Sequence, residues 1–63
     1  MANGGEVIWN AVSEFRRIQR YLQAAESENA MKSYELIKDR YVELKAILQA
    51  MGVNLSELDM LKL

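Results

Sequence analysis

The chain reads as an all-α protein, an antiparallel helical hairpin followed by a short C-terminal helix. Three observations lead there. From Glu6 to Met51 there is neither Gly nor Pro, and Ala, Leu, Glu, Lys, Gln, Arg and Met dominate; these residues lose least on entering a helix. Within that stretch apolar residues recur three and four apart, the period of one helix face and not of a strand. The recurrence slips once, at the wholly polar tetrapeptide Glu26-Ser27-Glu28-Asn29.

Residues 1–5, with Gly4-Gly5, are expected to be a flexible leader, and residues 6–63 a single helical domain. The first helix, over about residues 6–25, has Ile8, Ala11, Phe15, Ile18, Leu22 and Ala25 as its seam. Continuing that register would place Asn29, Lys32, Asp39 and Glu43 against a partner, so the stripe must restart. It resumes as Ala30, Tyr34, Ile37, Tyr41, Leu44, Leu48 and Met51, predicting a second helix over about residues 30–51. The turn then falls on residues 26–29, where Ser27 or Asn29 suits a cap and Glu26 and Glu28 suit the positive end of the new helix. By the same dipole rule, Arg16, Arg17 and Arg20 are expected toward the negative end of the first helix. One unbroken helix is the alternative, since no helix breaker marks the joint.

Gly52 is a natural left-handed cap for the second helix, with Val53 placed to fold back on its last turn. Asn54-Leu55-Ser56-Glu57 then has the pattern of a capping box. A short helix over about residues 55–62 follows, presenting Leu55, Leu58 and Leu61; too short to stand alone, it must dock.

Size and composition narrow the function. A chain of 63 residues and 7.2 kDa buries only about 60% of its unfolded surface, and chains so small lean on disulfides, metals or self-association. There is no Cys and no His, which removes disulfides, thiolate zinc sites, and the commonest general base and transition-metal ligand. The net charge of -1 gives no overall attraction to nucleic acid or membrane, and a 51% hydrophobic content is too high for a disordered chain. Self-association is the remedy left. No signal peptide or membrane-spanning run is visible, so a cytoplasmic location is expected.

Ile47 to Leu58, a helix stop followed by a capped start, resembles the segment after the recognition helix of phage-repressor-type helix-turn-helix domains. The tight helix-turn-helix pair that precedes it in that family is missing here. Ser56-Glu57-Leu58-Asp59 is similar to the short signature of two-helix phosphatases that act on sporulation response regulators, but lacks the Gln between the Ser and the Glu. Neither resemblance assigns a family.

Arg16, Arg17 and Arg20, with Ser13 and Gln23, form the one possible phosphate-tracking patch, read first as a solvated face. Glu35, Asp39 and Glu43 stand at i, i+4 and i+8, yet oppose the apolar seam and lack the His that bundle metal sites use. Tyr34 and Tyr41 are expected in the core, while Trp9 stands off the seam, where it suits either a partner contact or helix-end packing. Ser13, Ser27, Ser33 and Ser56 have no His to activate them. No enzyme activity, cofactor or metal is expected.

The apolar count exceeds what a hairpin needs. Val7, Trp9, Val12 and Tyr21 stand beside the first seam; Met31, Leu36, Val42 and Ile47 stand beside the second. The expectation is a homodimer resembling a four-helix bundle, with Trp9, Val12, Phe15, Leu36, Val42 and Ile47 as interface residues. A heterologous protein helix in the hairpin groove is the competing closure. The expected function is a non-enzymatic protein–protein interaction or scaffold module. The alternative is a small nucleic-acid-binding regulator using Arg16, Arg17 and Arg20.

Overall fold

A computed structural model describes residues 4–63, and among these the structure is all-helical: α1 (Gly4–Ser27) and α2 (Met31–Ala50) pack against each other as a hairpin. The unbroken-helix alternative is thereby excluded. Gly4 and Gly5, expected in the leader, are the first residues of α1; residues 1–3 of the expected leader lie outside the described residues.

The hairpin turn is closed by the backbone. The Ala30 N–H donates to the Ala25 carbonyl at 2.8 Å and the Asn29 N–H to the Glu26 carbonyl at 3.1 Å, while Asn29 adopts φ 56°. These crossed bonds around a left-handed residue are the Schellman arrangement, and Asn is the residue that tolerates it best after Gly. Ser27 is therefore the last helical residue of α1 and not a cap for α2. The cap position of α2 falls to Ala30, with no side-chain hydrogen bond. The dipole expectation fails for the same reason. Glu26 sits in the last turn of α1, which holds no basic residue, and α2 has no acidic residue in its first turn. Arg16, Arg17 and Arg20 lie well inside α1.

At the other end the expectation from Gly52 holds. Gly52 has φ 80°, its N–H donates to the Gln49 carbonyl at 3.0 Å, and the Val53 N–H donates to the Leu48 carbonyl at 3.0 Å. Val53 packs back on the core, as the motif's apolar contact requires.

The core is a single seam. Phe15, Leu22, Tyr41, Leu44 and Leu48 are fully buried, with Val12, Ala25 and Leu55 nearly so. The Phe15 and Tyr41 rings stack across the hairpin, 5.3 Å between centroids and 19° between planes. On α1 the buried line runs Val12, Phe15, Gln19, Leu22, Ala25, so it is rotated from the expected seam toward Val12 and Gln19; Ala11 and Ile18 are half-buried at its side.

The expected third helix does not form. Residues 55–62 make turns, with a single helix-type bond from the Asp59 N–H to the Leu55 carbonyl at 2.9 Å. Asn54 caps only a turn: its Oδ1 accepts from the Ser56 N–H at 2.9 Å. Lys62, at φ 53°, ends any helical course. The backbone groups a helix would satisfy internally are met by side chains of α1 and α2. This departure also leaves both resemblances without the helix start they share, since no helix begins at residues 54–59.

Replacing Gly52 by Ala meets no atom within 4 Å but keeps a left-handed φ, which costs about 1–2 kcal/mol for a residue with a Cβ. Urea unfolding of Gly52→Ala should show a lower midpoint at unchanged slope, with Gly52→Asn falling between the two.

Candidate functional site

The structure separates the polar residues that hold the fold from the surfaces left for a partner. The first set is a clasp that binds residues 54–63 across one flank of the hairpin. Gln19 is its pivot. Its side-chain Nε2 donates to the Leu58 carbonyl at 2.8 Å and, more weakly, to the Phe15 carbonyl at 3.4 Å; its Oε1 accepts from the N–H groups of Met60 at 2.6 Å and Leu61 at 3.1 Å. A buried amide so fully paired is stable, whereas losing it would strand backbone groups at about 1–3 kcal/mol.

Asp59 is the second pivot. Its buried carboxylate accepts from the Tyr41 hydroxyl at 2.5 Å and the Lys62 N–H at 2.9 Å, and it pairs with Lys45 Nζ at 2.9 Å. Lys45 also lies 5.6 Å from the centre of the Tyr41 ring and donates to the Leu63 carbonyl at 3.3 Å. The Tyr41 hydroxyl in turn accepts from the Leu63 N–H at 3.2 Å. Burial pushes the Asp59 carboxyl up, but the bonds from Tyr41, Lys45 and the Lys62 N–H outweigh it and hold the group below its ordinary range. The Tyr41 hydroxyl is pushed up by burial and by Asp59, and Lys45 is raised chiefly by its bond to Asp59.

Neither pivot stood out in the sequence. Gln19 lies four residues after Phe15 and three before Leu22, so its seam position was visible, but the neighbouring apolar Ile18 claims the seam on hydropathy alone. Asp59 had no such signal.

The opposite flank is bare. At about 100° per residue, Val7, Glu14 and Tyr21 fall in one line on α1, with Ala11 and Ile18 between them and the core. Leu36, Arg40 and Ile47 fall in one line on α2. Arg40 reaches across with Nε 2.7 Å and Nη2 2.8 Å from the two oxygens of Glu14, and it also pairs with Glu43. The Glu14 carboxyl is held below its ordinary range, mainly by the bond from Arg40, and the Arg40 guanidinium is raised in turn. Around this ion pair stand exposed apolar side chains: Leu36 at 72%, Tyr21 at 51% and Ile47 at 38% of full exposure.

The six expected interface residues are not one surface. Val12 and Phe15 are consumed by the chain's own core. Leu36 and Ile47 share the bare flank. Val42 is exposed about 120° further round α2, and Trp9, 62% exposed, stands about 160° round α1 from Val7. Trp9 instead shares an edge with Arg16, Arg20 and Gln23.

The three arginines also divide. Arg16 and Arg20 line a groove of about 880 Å³ with Gln19, Gln23, Asn54, Ser56, Glu57, Leu58 and Met60. Arg17 points about 100° away and lies near enough to Glu14 to lower its pKa. Glu35, Asp39 and Glu43 do not converge; among the described residues no cluster of three or more acidic side chains could hold a metal ion. No described helix is long and apolar enough to cross a membrane.

No known family model matches the chain, and no curated protein or solved structure shows significant similarity to it.

Two outcomes test the clasp. Gln19→Ala should cost about 1–3 kcal/mol and speed amide exchange at Met60 and Leu61, read by hydrogen-exchange NMR. For Asp59 the lowered pKa fixes the sign. Its contribution is full above the unfolded value of about 3.9 and is lost as pH falls through the lower folded value. The raised Lys45 and Tyr41 values add stability below about pH 10 that is lost at higher pH. Asp59→Asn should therefore lower stability near neutrality by about 2 kcal/mol and flatten the acid limb of a stability-against-pH profile.

Proposed function

We propose that this chain is a non-enzymatic helical interaction module that self-associates through the bare flank of its hairpin and scaffolds or regulates another protein. The observation that carries the reading is that flank, where Val7, Tyr21, Leu36 and Ile47 stand exposed around the Glu14–Arg40 pair, with none of the described residues covering them. A layer of helices is stable when its apolar side meets a second layer, and the protein is only 14 Å thick in its shortest direction. Its accessible surface of 4600 Å² exceeds the roughly 4,100 Å² of a compact monomer of this mass.

A second copy is the occupant that fits best. A two-fold axis near Glu14 and Arg40 lays the same stripe on itself, which builds four long helices into a bundle, and lets each Arg40 choose between its own Glu14 and that of its partner. The clasps then lie outside the bundle.

The nucleic-acid reading has less support. Arg17 does not share the groove of Arg16 and Arg20, and Glu57 stands on that groove's wall.

Sedimentation equilibrium at micromolar concentration should return about twice 7.2 kDa, with a melting temperature that rises with concentration. Leu36→Glu with Ile47→Glu should give a folded monomer, because both side chains already face solvent within one copy. A monomeric wild type with a concentration-independent melt would overturn the proposal.

A further inference from the structure

The groove between α1 and the clasp has a chemistry that the rest of the surface lacks. Arg16 and Arg20 stand one helical turn apart on its near wall, both exposed, and neither joins any ion pair found among the described residues. Asn54 and Ser56 supply amide and hydroxyl groups on the far wall, and Leu58 and Met60 supply an apolar lip. The floor is closed, because the Gln19 amide is already satisfied by the clasp.

The geometry points to this groove as a docking site for an extended acidic peptide segment carrying two carboxylates separated by one residue. Arg16 and Arg20 are about 6 Å apart along the helix axis, and alternate side chains of an extended strand repeat every ~6.7 Å. Each carboxylate meets one guanidinium, whose planar fork donates two parallel bonds to it. Trp9 extends the site. It lies on the same edge, about 10 Å before Arg16, and side chains of an extended strand share a face only at even separations. An apolar side chain four residues from the nearer carboxylate, about 13 Å along the strand, therefore ends within side-chain reach of the exposed indole, the kind of aromatic anchor that dominates small interfaces.

Glu57 separates this occupant from a nucleic acid. A duplex presents a charge every ~1.7 Å of its axis and cannot pass Glu57 without repulsion. A peptide with only two carboxylates places both on the arginine wall, so Glu57 on the groove weakens its binding without barring it. The site goes beyond self-association, and it uses the edge of α1 away from the bare flank, so the two are separable.

The test is a fluorescence-anisotropy titration of the full chain with a labelled ten-residue peptide bearing Glu-Gly-Glu and a Leu four residues on. Quenching or shift of Trp9 emission serves as a second reading, since this is the chain's single Trp. Binding should weaken at least tenfold when both Glu are replaced by Gln in the peptide, and likewise in Arg16→Gln with Arg20→Gln. It should strengthen severalfold in Glu57→Gln, which removes the repelling carboxylate without touching the arginines. The Leu36→Glu, Ile47→Glu variant should bind the peptide as the wild type does. The proposal is overturned if the Gln peptide binds equally, if Glu57→Gln leaves affinity unchanged, or if a labelled duplex or single-stranded oligonucleotide binds more tightly through the same arginines.

Discussion

Two polar side chains buried at the edge of an apolar seam, Gln19 and Asp59, hold everything beyond Gly52 in place. A two-helix hairpin alone has one line of contact. The segment after α2 adds a partial third element without forming a helix, which leaves its peptide groups in need of partners. Gln19 meets those of Leu58, Met60 and Leu61; Asp59, through Tyr41 and Lys45, fixes the stretch up to Leu63. Leu55, Leu58 and Leu61 pack on the seam as a consequence. The clasp is polar in its specificity and apolar in its driving force. None of the buried side-chain polar atoms among the described residues is left without a partner, which is what a burial of this kind demands.

That arrangement gives the molecule two unlike sides. Where the clasp lies, α1 and α2 are covered and the surface is a polar groove. Where it does not, the apolar shoulders of both helices stay open around one ion pair. Glu14 and Arg40 are themselves half-exposed, so solvent screens their attraction and the pair gives little net stability. Its importance lies in its place: it leaves charge at the centre of an otherwise greasy strip.

Much of the fold was legible because it rests on periodicity. The slip between Ala25 and Ala30 located the hairpin, and Gly52 with Val53 located the end of α2. The details that escaped have a common cause. Dipole and cap rules read side chains near a helix end, while the hairpin turn is closed by backbone bonds around Asn29. Capping-box logic made Asn54 to Glu57 a helix start, but tertiary partners on α1 and α2 outbid a helix of so few residues. Val12 and Phe15 entered the expected interface because the sequence shows how many apolar residues there are, not which are used internally. The arginines were read as one patch, and a groove that takes two of the three could only appear once the clasp was placed.

The clasp also joins residues made at quite different moments. Gln19 and its partners are 39 to 42 positions apart in the chain. At the 5–20 residues per second of synthesis, Gln19 leaves the ribosome roughly 2–8 s before the peptide groups that will satisfy it. Helices form and pair within microseconds to milliseconds, so the hairpin closes first, around an amide that is still wet. Water is the first ligand of Gln19. Residues 58–61 must displace it, and for the roughly 0.4–2 s between Ala50, the end of α2, and those residues the nascent hairpin carries two open flanks in place of one.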